Sequence, residues 1–159
     1  MLCLLLVMTS FGAAYGQQTL IVAQDGSGDF TTIQAAINAA PIGEKTTIHI
    51  KEGIYAEQVM IGSKTAPSDK KISLIGDGID KTIITSKAGM ASGLRFDQTP
   101  ALSVYAEDFY AEGLTLQNTA GRGGGQALAL YVAGDRQTYY RCRIAGYQDT
   151  HRTKKHTRS

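Results

Sequence analysis

Proline is scarce in this chain, 3 in 159 residues against 18 glycines. That balance suits many short strands joined by tight turns, and the length has room for one domain. Cysteine is scarcer still, with 2. Cys3 falls inside an apolar leader; once the leader is removed, Cys142 stands alone and no internal disulfide can form. A lone cysteine could be a nucleophile, but no histidine stands in a companion motif. Cys142 occupies an alternate position of a strand-like run, and the simpler reading is a small buried apolar residue. Charge is sparse as well. The net +2 is too small to imply nucleic acid. It is also uneven, because the last nine residues, HRTKKHTRS, hold Arg152, Lys154, Lys155 and Arg158. The rest of the chain has 12 basic residues against 14 acidic ones. A mildly acidic body thus carries a basic tail, read as a solvated loop, with contact to an anionic polymer as the alternative.

The first sixteen residues carry no charge at all. Residues 2–8 form an apolar core too short to span a bilayer. Ala14-Tyr15-Gly16 supplies a small-x-small pattern. Residues 1–16 therefore read as a secretory signal peptide cut before Gln17 or Gln18, and residues 17–159 as the domain it exports.

Long helical patterns are missing too, which argues against βαβ units. One short helix is predicted. Thr31 and Gln34 have capping-box spacing, Ile33, Ala36, Ile37 and Ala40 share a face, and Pro41 ends it. Such a helix needs something to cover, and the open end of a stacked strand core would serve. Strand patterns follow at 46–50, 55–61, 72–75, 82–85, 102–105, 109–116, 127–132 and 139–144, after a first strand at 19–23. The glycines between Asp25 and Asp29 lack the GK[ST] or GxGxxG context of a phosphate loop. A loose repeat lays Ala101 on Ala127, Tyr105 on Tyr131, and Gln117-Asn118-Thr119 on Gln148-Asp149-Thr150. Its offset runs from about 26 residues to about 31. Coils of that length point to a solenoid of parallel strands, with a two-sheet sandwich as the runner-up.

Chemistry concentrates in residues 125–150, GQALALYVAGDRQTYYRCRIAGYQDT. Gln126 precedes one strand run, and Gln148-Asp149 follows the other. Two amides and one acid suit a site that handles a carbonyl: donors for an oxyanion, and a proton carrier. Ordinary turn residues are the plainer alternative.

Several segments, in order, resemble the pectinesterases (pectin methylesterases). They are DGSGDFTTIQAAINAAP, IKEGIYAE, ISLIGDG with TIIT, FYAEGLTLQNTAG, GQALAL and YQDT, which together span about residues 20–150. The resemblance implies an all-β fold, a right-handed parallel β-helix with a short N-terminal capping helix. It implies a secreted carboxylic ester hydrolase that removes methyl esters from pectin (homogalacturonan), without metal or cofactor. It further implies that Gln126 and Gln148 line an oxyanion hole and that Asp149 is the general acid, later the base. The family's nucleophile is a second Asp in a DFIFG-like segment, fixed by an Arg further on. No DFIFG-like segment occurs in the 159 residues. The chain is thus expected to be an N-terminal part of the catalytic domain, inactive as written. Asp25, Asp29, Asp77, Asp80, Asp97, Asp108 and Asp135 stand in no matching motif, and Asp135 reads as a turn residue. Pro100-Ala101 stands where many relatives carry a substrate-contacting Thr or Ser, and Arg158 falls near an Arg of the family's next loop. A complete domain is expected to be a monomer, with no nucleic-acid or membrane partner. The alternative is a non-catalytic β-helical module that binds acidic polysaccharide. A pectate lyase would need a carboxylate cluster for calcium, and none stands out. The leader makes one prediction: exported protein should begin at Gln17 or Gln18 on N-terminal sequencing, and an intact Met1 on it would refute the reading.

Overall fold

The computed structural model describes residues 17–146 and 151–153. The expected leader, the Gln148-Asp149 pair and the tail from Lys154 onward lie outside the described residues.

Three sheets wrap around one core. The first contains β1 (Gln18–Val22), β2 (Lys45–Ile50), β5 (Lys71–Gly76), β8 (Tyr110–Glu112) and β11 (Thr138–Tyr140), in that spatial order. The second runs β4 (Val59–Ile61), β7 (Leu102–Val104), β10 (Leu130–Val132) and β13 (His151–Thr153). The third runs β3 (Gly53–Tyr55), β6 (Thr82–Ser86), β9 (Thr115–Asn118) and β12 (Arg143–Ala145). Every strand pairing among the described residues is parallel, and each sheet takes one strand per coil. This is the parallel β-helix that the repeat suggested; the sandwich alternative fails because no antiparallel pair occurs among these strands.

Register stacks like on like. Leu20, Ile48, Leu74, Ala111 and Tyr139 form one inward row of the first sheet. Val59, Leu102 and Leu130 form another in the second sheet, and Tyr55, Ile84, Leu116 and Ile144 a third. Most of these side chains are fully buried. Strand side chains alternate sides, so a one-residue slip would turn a whole row out to water.

Three runs read as single strands are each two. Residues 55–61, 109–116 and 139–144 all turn a corner between sheets. Alternation alone does not reveal a corner, because the inward pattern resumes beyond it. At the second corner Gly113 has φ +65°, and a Cβ on Gly76 would sit 2.5 Å from the Gly113 carbonyl oxygen. No side chain fits between those two backbones. The repeat register also needs correction. The last full coil is offset by 28 residues, pairing Ser103 with Tyr131 and Gln117 with Ala145. Tyr105 and Tyr131 do meet, with ring centroids 5.5 Å apart, but as diagonal neighbours and not as register partners.

The cap helix α1 spans Ile33–Ala39 and buries Ile33, Ala36 and Ile37 over the first coil. Its N-cap is Thr32, not Thr31: the Thr32 hydroxyl accepts from the Ala35 amide at 3.3 Å. The Glu57 carboxylate accepts from the free amides of Ile33 and Gln34 at 3.0 and 3.2 Å, where the helix dipole favours negative charge. Lys70 closes the other end, its ammonium 2.8 Å from the carbonyls of both Ile37 and Asn38. Gln34 is thereby freed from the expected capping box. Its amide instead accepts from Met60 N at 2.8 Å and donates to Met60 O at 3.1 Å, which occupies the exposed edge of β4. Asp29 likewise accepts from Ile21 N on β1, and Gln24 donates to Ile54 O on β3. Side chains thus occupy backbone groups that edge strands would otherwise offer to another chain.

Between coils, His49 Nε2 lies 2.7 Å from Asp77 Oδ1, and the Glu52 amide donates to Oδ2 at 2.9 Å. Partial burial pushes the Asp77 carboxyl up, but the His49 and Glu52 hydrogen bonds more than offset it and hold the group below its ordinary value. A carboxyl with a lowered folded pKa contributes stability above the unfolded value of about 3.9 and loses it as pH falls through the folded pKa. Asp77→Asn should therefore lower the unfolding midpoint at neutral pH, and the gap from the parent should narrow below about pH 4. Thermal melts across pH 2–7 would check this; a gap that stays constant down to pH 2 would refute it.

Candidate active site

Two loops at one end of β7 and β10 build the surface around Gln126. The first, residues 87–101, is a long excursion between β6 and β7 with short 3₁₀ turns at Met90–Ser92 and Phe96–Gln98. The second joins β9 to β10 and holds a third turn, Arg122–Gly124. They lean on each other. The Met90 amide donates to the Gln126 carbonyl at 3.1 Å. A Cβ on Gly89 would stand 2.3 Å from the Gly124 carbonyl oxygen, so the loops touch backbone to backbone.

Beneath them lies a buried knot of polar groups. Asn118 is 1% exposed, yet its side-chain nitrogen reaches the carbonyls of Ala88, Thr99 and Leu128 at 3.0, 2.9 and 2.9 Å. Its oxygen accepts from the Ala120 amide at 2.9 Å. Thr99 is fully buried; its hydroxyl accepts from Leu128 N at 3.0 Å and donates to Phe96 O at 3.0 Å. Ser86, in register with Asn118, donates to Thr99 O at 3.2 Å. Buried polar groups are costly unless satisfied, and here the hydroxyls and the amide all find partners.

Gln126 is exposed, and its side chain makes no hydrogen bond to another described residue. The amide is therefore available to a ligand. Gln148 and Asp149 lie outside the described residues. The chain is in strand again at His151, where β13 pairs with β10 in the register Leu130 to His151. Cys142 is half-buried and not fully buried as expected; it packs against the core edge, burial raises its thiol pKa, and Sγ lies 3.4 Å from the Tyr140 carbonyl.

Four further aspartates act as fasteners. Asp25 accepts from the Ser27 hydroxyl and amide at 2.6 and 2.9 Å, which lowers its pKa. Asp80 pairs with Arg143 at 2.8 Å, and Asp97 with Arg95 at 2.5 Å. Asp108 accepts from Arg136 at 2.5 Å, and that bond holds its carboxyl below the usual range. Asp135 sits in the turn after β10, and its carbonyl accepts from the Asp108 amide at 3.1 Å. Among the described residues, no group of three His, Cys, Asp or Glu side chains is placed to hold a metal ion.

The sequence reading missed Ser86, Thr99 and Asn118. A signal for Asn118 was present: it falls two residues after Leu116, on the inward side, where an apolar residue is the rule. Thr99 carried none, since its role depends on a loop conformation.

The comparisons with known proteins agree with this architecture. The family model described as Pectinesterase matches residues 19–158. A probable pectinesterase/pectinesterase inhibitor of Arabidopsis thaliana, number 23, is 42% identical over 133 residues, covering 82% of this chain and 23% of the relative. Probable pectinesterase 56 of the same plant is 40% identical over 147 residues, covering 91% of this chain and 50% of the relative. The solved pectin methylesterase from carrot superposes with a TM-score of 0.78 at 37% identity, covering 88% of this chain and 43% of the carrot chain. A pectin methylesterase solved with a bound hexasaccharide superposes at 0.69 with 28% identity, covering 87% and 46%. The chain belongs to the pectinesterase family, a family of carboxylic ester hydrolases built on the parallel β-helix. It spans between about a quarter and a half of the length of these relatives.

The contact between Gly89 and Gly124 makes a prediction. Gly89→Ala should cost roughly 1–3 kcal/mol of stability, since the backbone it meets cannot swing aside like a side chain. Gly123→Ala, whose Cβ would meet nothing within 4 Å, is the control. Denaturant unfolding of both variants checks it, and equal midpoints would refute it.

Proposed function

We propose that this chain supplies the amide donors and the acid of a pectin methylesterase site, which hydrolyses methyl esters of homogalacturonan to carboxylates and methanol. The observation that supports this best is the pairing of β13 with β10. The segment carrying Gln126 leads into β10, and the Gln148-Asp149 pair immediately precedes β13, so both feed neighbouring strands of one sheet.

In this reading the Gln126 and Gln148 side chains donate to the oxygen of the tetrahedral intermediate, where negative charge develops. Asp149 starts protonated and gives its proton to the departing methoxide, which leaves as methanol. It then takes a proton from water as that water attacks the acyl-enzyme, which restores the acid. The acyl-enzyme forms on a carboxylate nucleophile. The family resemblance places that group in a DFIFG-like segment, and the 159 residues contain none. Asp25, Asp29, Asp77, Asp80, Asp97 and Asp108 are each engaged by hydrogen bonds or ion pairs, and no described aspartate stands in such a segment. The leader of residues 1–16 fits export to the cell wall, where pectin lies, and no described helix is long and apolar enough to cross a membrane.

Methanol release from methylated pectin tests the reading on two proteins: the 159 residues alone, and the same chain followed by whatever its source gene encodes beyond Ser159. The 159 residues alone should show no turnover. In a product that contains a DFIFG-like segment, methanol should appear without added metal. There Asp149→Asn should reduce turnover by about 10²–10⁴, because an amide keeps the shape but cannot deliver the proton. Gln126→Ala and Gln148→Ala should each slow kcat by roughly 10²–10³. Full activity of Asp149→Asn would overturn the role given to Asp149. Tight pectin binding without turnover by the longer product would instead support a binding module.

A further inference from the structure

We propose that Thr99 and Asn118 are positioning residues for catalysis, a two-point clamp that holds the Gln126 amide where the oxyanion forms. The inference rests on the reading of Gln126 as an oxyanion donor, and its test separates the two.

An oxyanion donor lowers a barrier only if it is already aimed at the position the charge will occupy. Gln126 is held by the Met90 amide on its carbonyl and, on its N-terminal side, by the approach of Gly124 to Gly89, both backbone contacts. Gly123, Gly124 and Gly125 precede it, and Gly125 has φ +69°. Glycines give the chain more freedom than any other residue. Side-chain restraint comes from the C-terminal side and from below. Two residues after Gln126, the Leu128 amide donates to the Thr99 hydroxyl and the Leu128 carbonyl accepts from Asn118. One peptide-long segment is thus gripped at both of its polar groups, by residues from two different parts of the chain. The grips are themselves joined, because Asn118 also donates to the Thr99 carbonyl, which Ser86 holds as well.

A role in packing alone does not account for the residue types. Leu116 and Ile84, one step earlier on the same inward side of β9 and β6, fill the core with aliphatic groups. One step later the pair is Asn118 and Ser86, both buried and both polar. An apolar group there would leave the Thr99 and Leu128 carbonyls without these donors, so the polar residues serve the loop backbone and not the core. The polar choice falls where the chain leaves the ladder to carry Gln126. A buried network whose members are all satisfied rigidifies what it touches.

The test uses the pectin-hydrolysing product of the source gene, with Thr99→Val, Thr99→Ser, Gln126→Ala and the double variant Thr99→Val with Gln126→Ala. Thr99→Val keeps the shape and loses both hydrogen bonds; Thr99→Ser keeps the hydroxyl. Thr99→Val should exchange its Leu128 amide faster and lower kcat about tenfold with KM little changed, and Thr99→Ser should restore both. The double variant should be no slower than Gln126→Ala alone by more than about twofold, because a clamp has nothing to aim once the amide is gone. If Thr99→Val does not fold, Thr99→Cys, which drops the methyl group and weakens both bonds, replaces it, with Thr99→Ser as its size-matched control. An unchanged kcat with fast Leu128 exchange would overturn the clamp's catalytic role. So would multiplicative losses in the double variant, which mark a structural effect independent of Gln126. Full activity of Gln126→Ala, or no turnover in the parent, would remove the oxyanion reading itself and this inference with it.

Discussion

Everything in this protein hangs on the parallel ladder between successive coils. Each strand hydrogen-bonds to the strand one coil before and one coil after, so a residue's neighbours are fixed by register and not by proximity in sequence. Inward rows such as Leu20, Ile48, Leu74, Ala111 and Tyr139 bury their side chains against each other along the axis. Buried Phe109 packs at the end of this row, its ring 5.6 Å from that of Tyr139. A solenoid built this way gains stability one interface at a time, and its first coil has no predecessor. Hence the helix α1 sits over that coil, with Glu57 and Lys70 reaching from later coils to close its two ends. The helix is too short to persist alone in water; tertiary contacts at both termini stand in for length.

The ladder constrains the strands and leaves the turns free, and the turns are where polar residues gather. Matched corners of successive coils repeat the same devices. Asp108 and Arg136, 28 residues apart, both take a left-handed backbone conformation, with φ 54° and 53°. Their side chains then face one another as an ion pair. Gly113 and Arg141 occupy another matched corner, with φ 65° and 47°. The stacking that aligns core rows therefore also aligns surface groups, and residues far apart in sequence can share one groove. Gln126 and the strand that follows Gln148-Asp149 are related in this way through β10 and β13.

What the sequence made legible follows the same division. Period-two alternation located nearly every strand, since it reports burial directly. It could not locate corners, because Tyr55 and Val59 are both inward residues on either side of a bend. The helix was visible from Ile33, Ala36 and Ile37, but its cap was misplaced by one residue. Thr31 and Thr32 are both good caps by composition, and the choice falls to the Glu57 carboxylate, which lies a full coil away and holds the Ile33 and Gln34 amides. Gln126 stood out because an amide precedes an apolar run. The clamp beneath it did not, since Thr99 earns its place only through the fold of the loop 87–101. The repeat offset of 28 is not legible from Tyr105 and Tyr131, although they stand at matching places in similar segments. They are partners in space, but across a diagonal.

Three described carboxylates share one kind of environment. Asp25, Asp77 and Asp108 receive hydrogen bonds from amides, hydroxyls or cationic side chains, and all three are held below their ordinary pKa. Such groups stay ionised at neutral pH, which suits a fastener and disqualifies a general acid. An acid that must carry a proton at neutral pH needs the reverse: few donors, low polarity and no cation close by. Residues 123–134 offer that kind of wall. They carry no charged side chain, and Ala127, Leu128, Ala129 and Leu130 are buried. Neutral amides fit such a site better than Arg or Lys would. A guanidinium could also stabilise an oxyanion, but its charge would hold a nearby acid ionised and strip it of the proton it must deliver. In the proposed site, paired glutamines would stabilise the developing charge without that conflict, and the uncharged stretch around Gln126 suits both demands.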